Sequence, residues 1–249
     1  MASIGSVKGD STLLKRIAAL ALGLMMLCSA ALAEVLPGFT MFHGDRDEKR
    51  ICITIDDLAN IEMVQAIFDL GQELGVPMTF FVLGYVLDEA DADLWRAIAE
   101  SDCEIGNHTY NHLTLTTHTE SEIVNNLHSV QAKLDKVLGY HYPMQVMRPP
   151  YGNVYKDGST SYAARAVDRA GYRHMVLWDV SQTDPELCLK AVQNGSILLF
   201  HSIPKDLDCL EIILPELIEQ GYEFVTISEM GGLDPVQIVY PDEQAEEET

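Results

Sequence analysis

The chain has 249 residues, 47% of them apolar, and a formal net charge of −22. That length suits one large domain or two small ones, and the apolar share excludes a largely disordered chain. So large an excess of acid argues against a nucleic-acid binder, whose partner's phosphates require a basic surface, and disfavours polyanionic substrates.

Lys15 and Arg16 precede an apolar run, residues 17–33, that closes on Ala31-Leu32-Ala33. A basic start, a short apolar stretch and a small-x-small ending form the pattern of a secretory signal peptide, cleaved after Ala33. The alternative is an uncleaved anchor, because the run is close to the shortest that spans a membrane. Leu27 stands before Cys28 where a lipid-attachment site wants a small residue, which argues against a lipoprotein. Residues 34–49 form a lead-in. No later stretch is apolar enough to span a membrane, so the expectation is a secreted, extracytoplasmic protein with no span after cleavage. Export permits disulfides among the remaining Cys52, Cys103, Cys188 and Cys209. Cys52 lies inside an apolar strand and reads as a buried thiol; Cys188 and Cys209 flank one strand and are the preferred pair.

From residue 50 short apolar runs alternate with amphipathic ones. Strands are predicted over 50–55, 78–82, 104–106, 146–148, 174–178, 196–201 and 223–227. Between the first two, Met63, Ile67, Leu70 and Leu74 keep the spacing of one helix face. Ile123, Leu127, Val130, Leu134 and Val137 do the same, and Thr119 with Glu122 gives that second helix a capping-box start. Gly75, Gly171 and Gly221 follow helical stretches, where left-handed caps are expected. This alternation predicts an α/β fold, one barrel-like domain over residues 50–231 with about seven parallel strands. The tail, residues 232–249, ends in "DEQAEEET" and is expected to be solvated.

The unusual polar residues share one address. Asp56 and Asp57 follow "ICITI"; "GNHTYNH" follows "CEI"; "RPPYG" follows "QVM"; "WDVSQTD" follows "RHMVL"; and His201 ends "SILLFH". Each lies at the C-terminal end of a predicted strand, the barrel face on which active sites form. His108 and His112 are four apart, which on a helical turn puts both rings on one side at chelating spacing. Alone that pair would read as ordinary exposed histidines. With a carboxylate it makes a three-ligand site with open positions, the catalytic rather than the structural pattern, with zinc the first choice and cobalt, nickel or manganese also compatible. The second aspartate could take a proton from an activated water; spacing does not say which aspartate does which, and either could instead cap a turn. Arg148, before Pro149 and Pro150, could orient a carboxylate by a two-pronged hydrogen bond or serve a structural ion pair. His201 reads as a general acid at the barrel mouth, tuned by a carboxylate such as Asp184, against the plainer reading of a core histidine. The remaining histidines read as structural.

These segments, in this order, resemble the polysaccharide deacetylase family with the NodB homology domain (carbohydrate esterase family 4). "TIDD" is similar to its first motif, "HTYNH" and "RPPYG" match its second and third, and "GSILLFH" is similar to its last; "MTFFVLG" and "GYEFVTISEM" also look like family sequence. The resemblance runs from about residue 50 to 230. It implies a distorted barrel with fewer than eight strands, a divalent metal held by Asp57, His108 and His112, and Asp56 as catalytic base oriented by Arg148. It further implies that the Tyr151 backbone N–H helps hold the oxyanion, that Leu199 lines the acetyl pocket, and that His201, partnered by Asp184, protonates the leaving amine. The implied reaction is removal of N-acetyl groups from a polysaccharide, peptidoglycan N-acetylglucosamine first and chitin-like oligomers next. Three departures bear on the substrate. Leu58 stands where the first motif usually has glycine, Pro185 stands where the fourth usually has tryptophan, and the segment from Asp184 to His201 is short. An O-acetyl esterase acting on xylan-like glycans and a catalytically silent glycan-binding module are the alternatives.

Overall fold

The computed structural model describes residues 39–241. The expected signal peptide, residues 34–38 of the lead-in and residues 242–249 of the acidic tail lie outside the described residues. Eight strands are described: β1 (Thr40–Met41), β2 (Arg50–Asp57), β3 (Met78–Val82), β4 (Glu104–Asn107), β5 (Val146–Met147), β6 (His174–Val176), β7 (Ile197–His201) and β8 (Glu223–Phe224). The helices are α1 (Ile61–Leu74), α2 (Ala92–Ala99), α3 (Glu120–Leu138), α4 (Ser161–Arg169), α5 (Pro185–Ala191), α6 (Pro204–Glu219) and α7 (Ile227–Met230).

Neighbouring strands run β1-β6-β5-β4-β3-β2-β7, with β8 beside β2, and every pairing between them is parallel. The sheet curls until its far sides meet at a single parallel bridge, Val180 to Leu198. Asp179 fastens that seam. Its carboxylate accepts the Ile197 N–H at 2.7 Å, the Ser196 hydroxyl at 3.1 Å and the Arg46 guanidinium at 2.7 Å. The fold is therefore the distorted barrel expected, with the short extra strand β1 coming from the lead-in.

β2 shows why a parallel sheet forms here. Its "RICITIDD" is buried at every position except the first and last, as a strand covered on both faces must be. One apolar layer, with Ile51, Ile53, Ile55, Phe80 and Trp95, lies under the helices. A second, with Cys52, Phe81, Val146, Val176, Ile197 and Ile227, fills the barrel interior. Each fully buried Ile or Phe contributes roughly 1.5–3 kcal/mol.

Three local expectations are corrected. The buried face of α1 is Val64, Ile67, Phe68 and Gly71, offset from the face through Met63, Leu70 and Leu74. β8 stops at Phe224 because Thr226 and Glu229 form a capping box that opens α7. Cys52, Cys103, Cys188 and Cys209 are all free and buried, so the preferred Cys188–Cys209 pair is not a disulfide. The helix at Glu120–Leu138 has the expected buried face and the expected Thr119–Glu122 box. Among the described residues no helix is long and apolar enough to cross a membrane.

Candidate active site

The strand register assembles the site. Asp56 of β2 lies opposite His201 of β7, and Thr54 lies opposite Leu199 one step below. In-register residues of parallel strands point to the same face, so all four share one side of the sheet. Asp56 is 3% exposed and Arg148 is fully buried. Arg148 Nη1 donates to Asp56 Oδ1 at 2.8 Å and to Thr54 Oγ1 at 2.6 Å, while Nη2 donates to the Leu177 carbonyl at 3.0 Å. The contact with Asp56 is thus single-pronged, not the two-pronged fork expected, because the guanidinium also serves Thr54 and the chain just past β6. Its Cζ lies 4.4 Å from the Phe81 ring centroid, which adds a cation–π contact. Burial pulls the Arg148 pKa down and the Asp56 carboxylate opposes that shift.

Asp57 is the middle residue of a three-residue turn in which the Leu58 N–H donates to the Asp56 carbonyl at 2.8 Å. The turn gives Asp57 a φ of 68° and Leu58 a φ of 60°. It aims Asp57 Oδ1 between two imidazoles, with His108 Nε2 at 3.4 Å and His112 Nε2 at 3.5 Å. His108 Nδ1 lies 2.8 Å from the Arg148 carbonyl, an oxygen that can only accept, so Nδ1 carries a proton and Nε2 of the neutral ring offers its lone pair inward. Asp57 is held below the usual carboxylate range, chiefly by His108. His112 is held below the usual imidazole range by burial and then by His108.

This donor set fits a divalent ion. The ligand atoms of Asp57, His108 and His112 all lie within 4.8 Å of one another. Asp57 Oδ1 is buried and has no hydrogen-bond partner, a costly condition that a cation would relieve. Bonds of about 2.0–2.1 Å in a tetrahedral site leave ligand atoms roughly 3.3–3.4 Å apart, close to the two separations measured.

The histidines are not brought together by a helical turn, as their spacing suggested. They sit in a loop with positive φ at Thr109 (71°) and His112 (59°). Side chains pin it: Asn107 Oδ1 accepts the Thr109 N–H, Asn126 Oδ1 accepts the Tyr110 N–H, and Thr109 Oγ1 accepts the Leu113 N–H. Tyr151 also adopts a positive φ, 61°, and its exposed ring stands edge-on to His112 at 4.4 Å. Gly152, φ 60°, follows because a Cβ there would come within 2.9 Å of the Trp178 ring. Of the six non-glycine residues with positive φ among the described residues, only Asp157 lies outside the site segments. Such strain gathers at functional sites and persists where the surroundings over-determine it.

One expected partnership is corrected. Asp184 does not serve His201; its exposed carboxylate accepts the Leu187 N–H at 3.0 Å and caps α5, with Pro185 as the first helical residue. The carboxylate beside His201 is Asp206, fully buried in the first turn of α6. His201 lies above the usual imidazole range, first because of Asp206 and then, against the opposing effect of burial, because of Asp56 and Asp57. Asp206, Thr54 and the loop anchor Asn107 were missed in the sequence. The only signal for Asp206 was an acidic residue just after Pro204, where a helix begins.

An open parallel barrel with a two-histidine, one-carboxylate cluster and a buried Arg–Asp pair at its mouth defines a class, that of metal-dependent barrel hydrolases. The chain belongs to the polysaccharide deacetylase family, whose sequence profile matches residues 43–175. It is 30% identical over 197 residues to the peptidoglycan-N-acetylglucosamine deacetylase PgdA of Listeria monocytogenes, an alignment covering 75% of this chain and 40% of that protein. The chain therefore spans well under half the length of that relative. The crystal structure of the Bc1960 peptidoglycan N-acetylglucosamine deacetylase superposes with a TM-score of 0.68 at 26% identity, over 78% of this chain and 94% of that one. A pseudoenzyme of the same esterase family from Bacillus anthracis, BA3943, has the same fold, with a TM-score of 0.68 at 21% identity over 79% of this chain and 70% of that one.

Proposed function

We infer that this chain is a metal-dependent polysaccharide N-deacetylase acting outside the cytoplasm on peptidoglycan N-acetylglucosamine, after removal of residues 1–33. The observation that carries the reading is Asp57 Oδ1, buried, unpartnered and faced by two imidazole nitrogens. Asp57, His108 and His112 would hold the ion. Zinc suits two nitrogens and one carboxylate best; cobalt, nickel and manganese are compatible. When bound, it polarises the acetyl carbonyl and makes a water acidic enough for a carboxylate to deprotonate.

The chain's own residues do the rest. Asp56 takes the proton of the attacking water, and Arg148 keeps Asp56 oriented in a site where it is otherwise desolvated. The Tyr151 N–H, fixed by its unusual backbone, donates to the oxygen on which charge develops. His201 delivers a proton to the leaving nitrogen as the C–N bond breaks. Leu199, on the same face one step below His201, packs against the acetyl methyl group. Asp184 has no part in this scheme. The full set of acid, base and ligands argues against a silent glycan-binding module.

The test is acetate release from N-acetylated peptidoglycan fragments and from acetylated xylan, with zinc or cobalt added, for the wild type, Asp56→Asn and His201→Ala. Release from peptidoglycan, lost in both variants, is expected. Release from xylan alone would assign an O-acetyl esterase, the alternative that Pro185 raises by removing an aromatic wall. Release from neither would overturn the enzymatic reading for both substrates.

A further inference from the structure

We propose that Asp206 is the residue that positions His201, fixing its ring so that Nδ1 carries a proton toward α6 and Nε2 faces the cleft. This rests on the reading of His201 as the proton donor. The geometry is specific. His201 ends β7, Ile203 N–H turns back to the His201 carbonyl at 2.8 Å, and Asp206 N–H donates to the Ile203 carbonyl at 3.1 Å. This tight reversal brings the third residue of α6 under the histidine five positions earlier. Asp206 Oδ2 accepts the His201 backbone N–H at 2.6 Å and lies 3.6 Å from His201 Nδ1. At that separation the ring contact is an ion pair that a movement of a few tenths of an ångström turns into a hydrogen bond. Asp206 Oδ1 is buried and has no partner. A fully buried carboxylate is costly unless a positive or hydrogen-bonding group faces it, and the His201 imidazole, nearest to Oδ2, is the titratable ring beside it.

Position also suits the charge. Asp206 lies in the first turn of α6, whose N-cap Ile203 offers no side-chain acceptor, so the helix end favours an anion there. The titratable groups facing His201 are Asp206 from α6, Asp56 and Asp57 from β2, and His112 from the loop after β4. Of the carboxylates, Asp56 is engaged by Arg148 and Asp57 lies between His108 and His112, which leaves Asp206 for His201. In the reaction the Nε2 proton passes to the leaving nitrogen, the C–N bond breaks, and the ring is left neutral with its remaining proton on Nδ1. Asp206 accepts a hydrogen bond from Nδ1 before and after that transfer and itself stays ionised. It acts through His201 and is a positioning residue.

The experiment records long-range 1H–15N spectra of the histidine rings in the zinc-loaded protein, with His201 assigned from His201→Gln. It is run on the wild type, Asp206→Asn and Asp184→Asn, with thermal unfolding to confirm folding. The expected result is that neutral His201 carries its proton on Nδ1 in the wild type and in D184N, and loses that preference in D206N. In the acetate assay kcat of D206N falls about 10–100-fold, part of what general acid catalysis supplies, with KM within about twofold and the basic limb of the pH profile moved to lower pH. A wild-type ring protonated on Nε2, or a change in D184N that matches D206N, would overturn the assignment. If D206N does not fold, the wild-type and D184N spectra still decide. If no glycan is deacetylated, the spectra still report on Asp206 while the acetate assay counts against the enzymatic reading alone.

Discussion

Breaking the Asp56–Arg148 pair is the sharpest test of how the site is built. Both partners are buried, at 3% and 0% exposure, and meet at 2.8 Å. Removing one partner of a buried ion pair costs about 3–5 kcal/mol, because the survivor is left uncompensated. Asp56→Asn belongs near the lower end, since Arg148 keeps its bonds to Thr54 Oγ1 and the Leu177 carbonyl. Arg148→Met belongs near the upper end. It strands Asp56 as an anion, frees Thr54 and Leu177 of their donor, and loses the contact with Phe81. The double variant removes both charges and is expected to lose less than the sum of the singles by about 2–3 kcal/mol, at the upper end of coupling for residues in contact. The assay is urea unfolding followed by circular dichroism, with chelator present so that no metal contributes. Additivity within about 0.5 kcal/mol would mean the residues do not depend on each other. The idea that Arg148 serves to hold Asp56 would then be wrong.

Zinc at 100 times its dissociation constant is expected to stabilise the wild type by about 2.7 kcal/mol; His112→Ala removes that gain, and an equal gain in the variant would place the ion elsewhere. Leu58→Gly and Leu58→Ala both vacate a buried position, but φ is 60° there. The glycine variant should be the more stable by about 1 kcal/mol, the reverse of the usual order, and an alanine variant of equal or greater stability in the same urea assay would remove strain from the account. His201 has a raised pKa in the fold, so its contribution to stability is full below the ordinary value of 6.5 and fades as pH rises through the raised value. Unfolding free energies taken across that window should lose this slope in Asp206→Asn, and a slope that persists would put the charge partner elsewhere. Cys52, Cys103, Cys188 and Cys209 are free and buried, so a thiol reagent should label these four only after unfolding; failure of any of the four to react on unfolding under non-reducing conditions would reveal a disulfide.

The fold was legible where local rules left one choice. α3 has one apolar stripe and one capping box, and both formed as read. α1 had two: a stripe through Met63, Ile67, Leu70 and Leu74, and another through Val64, Ile67, Phe68 and Gly71. Periodicity does not separate faces that share Ile67. The packing does, because a Cβ on Gly71 would come to 3.0 Å from both the Val76 carbonyl and the Met78 side chain, so the glycine lets the helix lie this close without displacing them. β1 escaped notice for a related reason: two residues have no period, and their strand exists only because β6 offers an edge.

At the site the sequence revealed the kinds of residue and not the means that bring them together. Asp57, His108 and His112 were recognisable as a candidate ligand set, yet the helical turn assumed for the histidines is a loop whose backbone enters the left-handed region twice. Such conformations cost of order 1–3 kcal/mol each and have no signature in the side chains that adopt them. They hold because Asn107, Asn126 and Thr109 fasten the loop. Arg148 was recognisable as a partner for a carboxylate, yet its attachment to Thr54 needed the register of β2 against its neighbours. Asp184 misled because it has the right chemistry in the right motif, whereas with Pro185 after it the carboxylate caps a helix. Asp206 has the same chemistry with no motif, and the chain reversal at Ile203 carries it to His201. The carboxylate beside His201 is thus fixed by where the next helix starts, a position that no motif read along the chain records.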